Sequence, residues 1–101
     1  MFDAPPPSLQ KRKKKVDVEA LMSPLNRIPG LDLATVRDLI DLGFSEVDHL
    51  RGRAPDALYA ETCSRKPKTP RDRLFAFRLA VYVAETSDPD RAKLHPSAWQ
   101  D

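Results

Sequence analysis

The chain is poor in the residues that chemistry most often needs. It has one cysteine, Cys63, in 101 residues. A single thiol excludes an internal disulfide and a cysteine-based zinc site, and it suits a reducing cytoplasm. The two histidines, His49 and His95, stand far apart without ligand spacing, so no metal is expected. Three glycines leave no glycine-rich phosphate loop. No apolar run approaches the ~18 residues of a membrane span, and no signal-peptide pattern opens the chain. No run of alternating β-branched residues marks a strand, and no internal repeat is visible. Nor is there a paired-carboxylate motif, or a histidine with a nucleophile at useful spacing. These absences point away from an enzyme, a cofactor and a membrane, and towards a cytoplasmic protein.

What remains is proline, charge and helical periodicity. Hydrophobic residues make up 41% and charged residues 32%, which suits one small domain with a thin core. Ten prolines suggest frequent helix starts rather than flexible linkers. The net charge of +2 is unevenly spread. Residues 1–17 hold five basic and two acidic residues, and the remainder holds twelve basic and thirteen acidic ones. The opening stretch, MFDAPPPSLQKRKKKVD, has three consecutive prolines and the run Lys11, Arg12, Lys13, Lys14, Lys15, with no apolar period. It reads as a disordered basic tail over 1–17, ahead of one folded domain over 18–101. The run either solubilises the chain or makes a nonspecific electrostatic contact with nucleic acid.

The domain reads as all-α, with five to six short helices. Asp17 can N-cap the first, and Val18, Leu21, Leu25 and Ile28 fall on a single stripe. Pro24 interrupts that stripe, so the helix kinks or restarts at Ser23-Pro24. It stops at Ile28, the residue before Pro29. Asp32 can cap a second helix with Leu33, Val36, Leu39, Ile40 and Leu42 on its apolar face, ended by Gly43. Ser45 is expected to cap a short third helix closed by Gly52. Pro55 opens a fourth, with Leu58 and Tyr59 facing inward. Pro70 opens the longest, whose middle, Leu74 to Ala84, is apolar nearly all round apart from Arg78. That pattern marks a central buried helix. A short tail helix follows Asp88-Pro89, and Trp99 is expected back on the core.

The tight turn Ile28-Pro29-Gly30-Leu31-Asp32 is the most informative stretch. Proline ends one helix, and glycine takes a backbone shape closed to other residues. A new helix then starts with its unpaired N–H groups outward, an anion site of the size of a DNA phosphate. IPGLDLATVRDLIDLGFSEVDHL resembles a helix-hairpin-helix over its full length. With DLGFSEVDHLRGRAPDALYAETC and RDRLFAFRLAVYVAE, the chain resembles the bacterial pathogenicity-locus family. Some members of that family carry the label mitomycin-resistance protein. The resemblance covers about residues 18–90. It implies a tandem helix-hairpin-helix bundle, similar to a SAM domain, and leaves the activity open.

The hairpin pattern is broken where it matters. Asp32 stands at the second glycine, and Leu33 at a position often held by lysine. A carboxylate N-cap accepts the N–H bonds that a phosphate would take. At ~5 Å and an effective dielectric of ~20, its repulsion on a phosphate is about 3 kcal/mol before screening. The hairpin is then either a structural turn or a weakened phosphate site built from Gly30, Leu31, Asp32 and Leu33.

A second basic element, RKPKTPRDR, holds Arg65, Lys66, Lys68, Arg71 and Arg73 around the start of the longest helix. It is either a solvated loop or a second backbone contact, and with the tail it could neutralise about five phosphates. Asp72 could pair with a neighbouring arginine. Arg78 in the apolar helix calls for a carboxylate or carbonyl partner, with Asp38 and Asp41 as candidates. Family members often carry a second cysteine where this chain has Leu74. Cys63 alone is expected to be a small residue packed at a helix end. Two functions follow as expectations. One is nonspecific binding of DNA through its phosphates, with no base readout. The other is a protein-interaction module with structural hairpins, recognisable by an exposed apolar or mixed-charge patch.

Overall fold

A computed structural model describes residues 17–100. Among these residues the fold is all-helical. Four α-helices run in order: α1 (Val18–Leu21), α2 (Leu33–Asp41), α3 (Pro55–Arg65) and α4 (Asp72–Glu85). Short 3-10 turns at Pro24–Arg27, Val47–Leu50, Arg91–Lys93 and Pro96–Trp99 link or follow them. The expected five to six helices are thus four α-helices, with the shortest expected elements closing as single tight turns. Such segments are too short to gain from cooperative helix growth.

Local chemistry explains most boundaries. Asp17 Oδ1 accepts the Ala20 N–H at 3.1 Å and starts α1. Ser23 caps a new turn at Leu25, with Pro24 at its first position. The Asn26 amide ties that turn back to the carbonyls of Ala20 and Leu21. The chain therefore restarts at Pro24, and the single stripe expected from Val18 to Ile28 does not form. Ala20, Leu25 and Ile28 are buried, whereas Val18 and Leu21 are 62% and 54% exposed. Breaking the helix at Ser23 rotates its two halves, so a 3.6-residue period cannot run through both. Ser45 stays exposed, and the turn at Val47 begins after Glu46, which makes no side-chain cap bond. The long helix begins at Asp72 rather than Pro70, because a tight turn bonds Arg73 N–H to the Pro70 carbonyl.

α4 is the centre of the molecule. Leu74, Ala76, Phe77, Leu79, Ala80 and Val81 are all buried on it. It packs against α3, the Val47–Leu50 turn and the C-terminal turn, and α2 packs on α1. The core joins Leu25, Ile28, Val36, Leu39, Phe44, Leu50, Leu58 and Phe77. Each fully buried leucine or phenylalanine contributes ~1.5–3 kcal/mol relative to exposure. Trp99 returns onto α4 as expected, its ring 5.0 Å from that of Tyr82.

Arg78 resolves differently from the expectation. It is half-buried, donates to the Trp99 carbonyl at 2.6 Å and lies 3.9 Å from Asp56. Asp38 binds Lys66 and Arg73, and Asp41 binds Arg37. The one cation within the apolar stretch 74–84 thus anchors the C-terminal segment. Cys63 is half-buried on α3. The Tyr59 phenol, four residues earlier, donates to the Thr69 carbonyl and is raised from its ordinary value by the neighbouring Cys63 thiol and by burial.

Candidate anion-binding turns

Two turns place a glycine in the left-handed region just ahead of a helix, Gly30 before α2 and Gly52 before α3. They share a backbone shape and differ in everything around it.

At the first turn, Gly30 has φ +86°, and a Cβ there would lie 2.7 Å from the Leu94 carbonyl oxygen and 2.9 Å from Leu79 Cδ2. The C-terminal segment therefore lies against the side of the turn where a side chain would stand. Leu31 packs half-buried against the core, and Leu33 is exposed. Asp32 caps α2 as expected. Its Oδ1 accepts the Thr35 N–H at 2.9 Å and the Thr35 hydroxyl at 2.6 Å. Burial alone would raise the Asp32 carboxyl. The two Thr35 bonds and the field of Arg73 outweigh it and hold the group below its ordinary value. The donors at this turn already serve a charged carboxylate. A cleft of about 440 Å3 beside it is lined by Asp32, Asp72, Arg73 and His95. Its charges are mixed.

The basic loop is largely folded inward. Arg73 pairs with the buried Asp38, and its guanidinium also reaches the Ala34 carbonyl. Lys66 Nζ donates to the other Asp38 oxygen at 2.7 Å. Arg65 donates to the Asp41 carbonyl at 2.6 Å and so satisfies the C-terminal end of α2. Arg71 is exposed, and Lys68 stands in the loop between α3 and α4. The structure thus brings Arg73 to the first turn, and turns Arg65, Lys66 and Arg73 towards α2. Lys11, Arg12, Lys13, Lys14 and Lys15 lie outside the described residues. So does most of the expected 1–17 tail, except Asp17, which belongs to the fold as the cap of α1.

The second turn, Arg51-Gly52-Arg53-Ala54, is one that the sequence pattern alone does not single out. Gly52 has φ +78°, and a Cβ there would meet nothing within 4 Å. α3 begins at Pro55 with Ala54 before it and no side-chain cap bond. Arg51 is exposed and makes no hydrogen bond or ion pair through its side chain among the described residues. Arg53 lies over the Phe44 ring at 5.4 Å. A cleft of about 520 Å3 opens between this turn and the end of α2, lined in part by Gly43, His49, Gly52 and Arg53. The Gly52 N–H donates to Glu85 Oε2 at 2.6 Å, a carboxylate from the far end of α4. The signal that could have found this turn is the string LRGRAP. It sets a glycine between two arginines, three residues before a proline that opens a helix.

A hydrophobic feature also stands out. Val18, Leu21 and Met22 are exposed, and their i, i+3, i+4 spacing puts them on one face of α1. Among the described residues, no group of three or more His, Cys, Asp or Glu side chains could hold a metal, and no helix is long and apolar enough to cross a membrane.

The family model described as pathogenicity locus (Cdd1) matches residues 19–101. No curated protein and no solved structure matched the chain.

Proposed function

This chain belongs to the pathogenicity-locus family, and we propose that it is a non-enzymatic protein that binds the DNA backbone without reading sequence. We assign it two stacked helix-hairpin-helix units, the first turning at Gly30 and the second at Gly52. The observation that carries the reading is the open second turn, where Arg51 and Arg53 flank a left-handed glycine ahead of a helix without a side-chain cap. A helix dipole and two exposed cations at one place favour a phosphate oxygen, which would take the Gly52 N–H now held by the exposed Glu85 carboxylate. Such a contact positions a duplex and carries no base information. The run Lys11–Lys15 adds a long-range attraction that salt screens.

The test is binding of a fluorescent duplex to the full chain between 20 and 200 mM salt. A second protein carries glutamine at Lys11, Arg12, Lys13, Lys14 and Lys15. Both proteins are expected to bind unrelated duplexes equally well. The neutralised tail should lower the magnitude of the log–log salt slope by about 0.9 for each phosphate it no longer neutralises. Absence of binding by the unaltered chain at the lowest salt overturns the reading.

The exposed stripe on α1 favours a second reading, a protein-interaction module whose hairpins are structural. Met22, the C-cap of α1, is 75% exposed beside Val18 and Leu21. Arg37 reaches Asp17, Glu19 and Asp41 at once, which keeps that stripe in a fixed place. Under this reading the tail alone attracts DNA, and the neutralised-tail protein shows no duplex affinity at any salt.

A further inference from the structure

Three carboxylates of this chain stand where the fold could hold an outside anion. Asp32 takes the Thr35 N–H at the start of α2. Asp38 takes Lys66 and Arg73 of the basic loop. Glu85 takes the Gly52 N–H. They differ in how firmly they are held. Asp38 is buried and pairs with two cations, and leaving would strand Arg73 in the interior. Asp32 has two bonds from the adjacent Thr35, within one turn of its own helix. Glu85 is exposed, comes from 33 residues away and is held at this turn by one backbone N–H.

An exposed carboxylate held by one hydrogen bond exchanges readily with water or another anion, because its release costs little. The side of Gly52 on which a side chain would stand is empty. Arg51 and Arg53 are close in the chain, exposed, and bound to no carboxylate among the described residues. We infer that Glu85 is a displaceable internal anion, occupying the Gly52 amide until a phosphate oxygen replaces it. A free phosphate carries more charge than Glu85, and a backbone phosphodiester the same single charge. Either is favoured over a tethered carboxylate where the flexible side chains of Arg51 and Arg53 swing in to meet it, so it competes for the same donor. The phosphate comes either from a nucleic-acid backbone or from a free phosphate group. The first source rests on the proposed function, and the second does not.

The experiment uses the full chain, labelled with 15N, and follows the Gly52 amide during titration with inorganic phosphate and, separately, with a 20-base-pair duplex. Unaltered protein is compared with Glu85→Gln, which keeps an acceptor and removes the charge. A control, Asp72→Asn, makes the same charge change at the other end of α4, about 20 Å away along the helix. The Gly52 amide is expected to move with both ligands. Glu85→Gln should tighten both by about two- to fivefold, the size of one charge at a helix terminus, and Asp72→Asn should tighten inorganic phosphate by less. Adding Arg51→Ala to Glu85→Gln should remove the gain. Response to phosphate without duplex binding keeps the displaceable anion and overturns the nucleic-acid source. Duplex binding that leaves the Gly52 amide unmoved and unaffected by Glu85→Gln overturns the displaceable anion alone. No response to either ligand overturns both.

Discussion

Asp38 of α2 and Arg73 of α4 form an ion pair in the interior, with side chains 3% and 14% exposed. Lys66, 53% exposed, holds the other oxygen of the same carboxylate. The pair clamps the start of α4 and the loop before it onto α2. A buried pair is worth little against a well-packed apolar replacement, but removing one partner strands the other. Asp38→Ala should therefore cost ~3–5 kcal/mol in urea unfolding, and Lys66→Ala less than ~1 kcal/mol because its head is in water. The double replacement Asp38→Leu with Arg73→Met should recover most of the stability. If the double variant is no better than Asp38→Ala, the clamp is not an ion pair in energetic terms.

Gly30 and Gly43 offer a controlled comparison. Both have positive φ, +86° and +101°, so alanine is strained at either. Strain alone costs roughly 1–2 kcal/mol. Gly43→Ala meets no atom, whereas Gly30→Ala drives a Cβ into the Leu94 backbone carbonyl and Leu79. Gly30→Ala should exceed Gly43→Ala by at least ~1 kcal/mol, the usual scale of overpacking. It should also loosen the C-terminal segment. Trp99, the single tryptophan, donates its indole N–H to the Lys93 carbonyl and lies tilted against Tyr82, so its emission reports that docking. A red-shifted, quenchable Trp99 is expected in Gly30→Ala and not in Gly43→Ala.

Asp32 gives the fold an acid limit. Its carboxyl sits below its ordinary value when folded, so in acid the unfolded chain binds the proton first. Its contribution is complete above the unfolded pKa of about 3.9 and disappears as pH falls through the lower folded value. Asp32→Asn can still cap α2 but has no proton to gain. Stability measured from pH 2.5 to pH 6 should therefore fall less steeply in acid for Asp32→Asn than for the unaltered chain. Equal slopes would place the acid sensitivity elsewhere.

Much of this architecture is visible in the residues. Asp17, Ser23 and Asp32 cap what they precede, Pro55 opens α3, and the glycines mark the turns. These are local effects, settled within four residues. The apolar density of 74–84 likewise marks α4 as the centre, because a helix apolar all round must be surrounded. Apart from the stripe broken at Ser23, the Ser45 cap that does not form and the start of α4, failures arise where the partner is distant. Nothing near Lys66 or Arg73 says that both belong to Asp38, 28 and 35 positions earlier. A basic loop and an internal clamp have the same composition. Arg78 shows the same limit: its partner is the Trp99 carbonyl, and carbonyls have no sequence signature. The open turn at Gly52 is easily missed for a different reason. The proline-glycine pair at 29–30 is the stronger local signal, and it marks the turn that Asp32 fills.

Those distant partners sort the cations into two groups that mutation can separate. Arg65, Lys66 and Arg73 are bound to groups on α2, while the Arg51 side chain is bound to nothing among the described residues and Arg53 rests on an aromatic face. If all served as phosphate contacts, each alanine would weaken duplex binding by a similar factor. The geometry predicts a division. Arg51→Ala and Arg53→Ala should each weaken duplex binding and lower the salt slope by up to about 0.9, one phosphate's share. Their effect on stability should stay within ~1 kcal/mol, since exposed cations contribute little. Arg73→Ala should instead lower stability by several kcal/mol, leaving duplex affinity nearly unchanged at temperatures where the variant stays folded. Urea unfolding and duplex titration on the same preparations make the comparison. Weaker duplex binding by folded Arg73→Ala than by Arg51→Ala would mean that the inward-turned loop, and not the second turn, meets the phosphate.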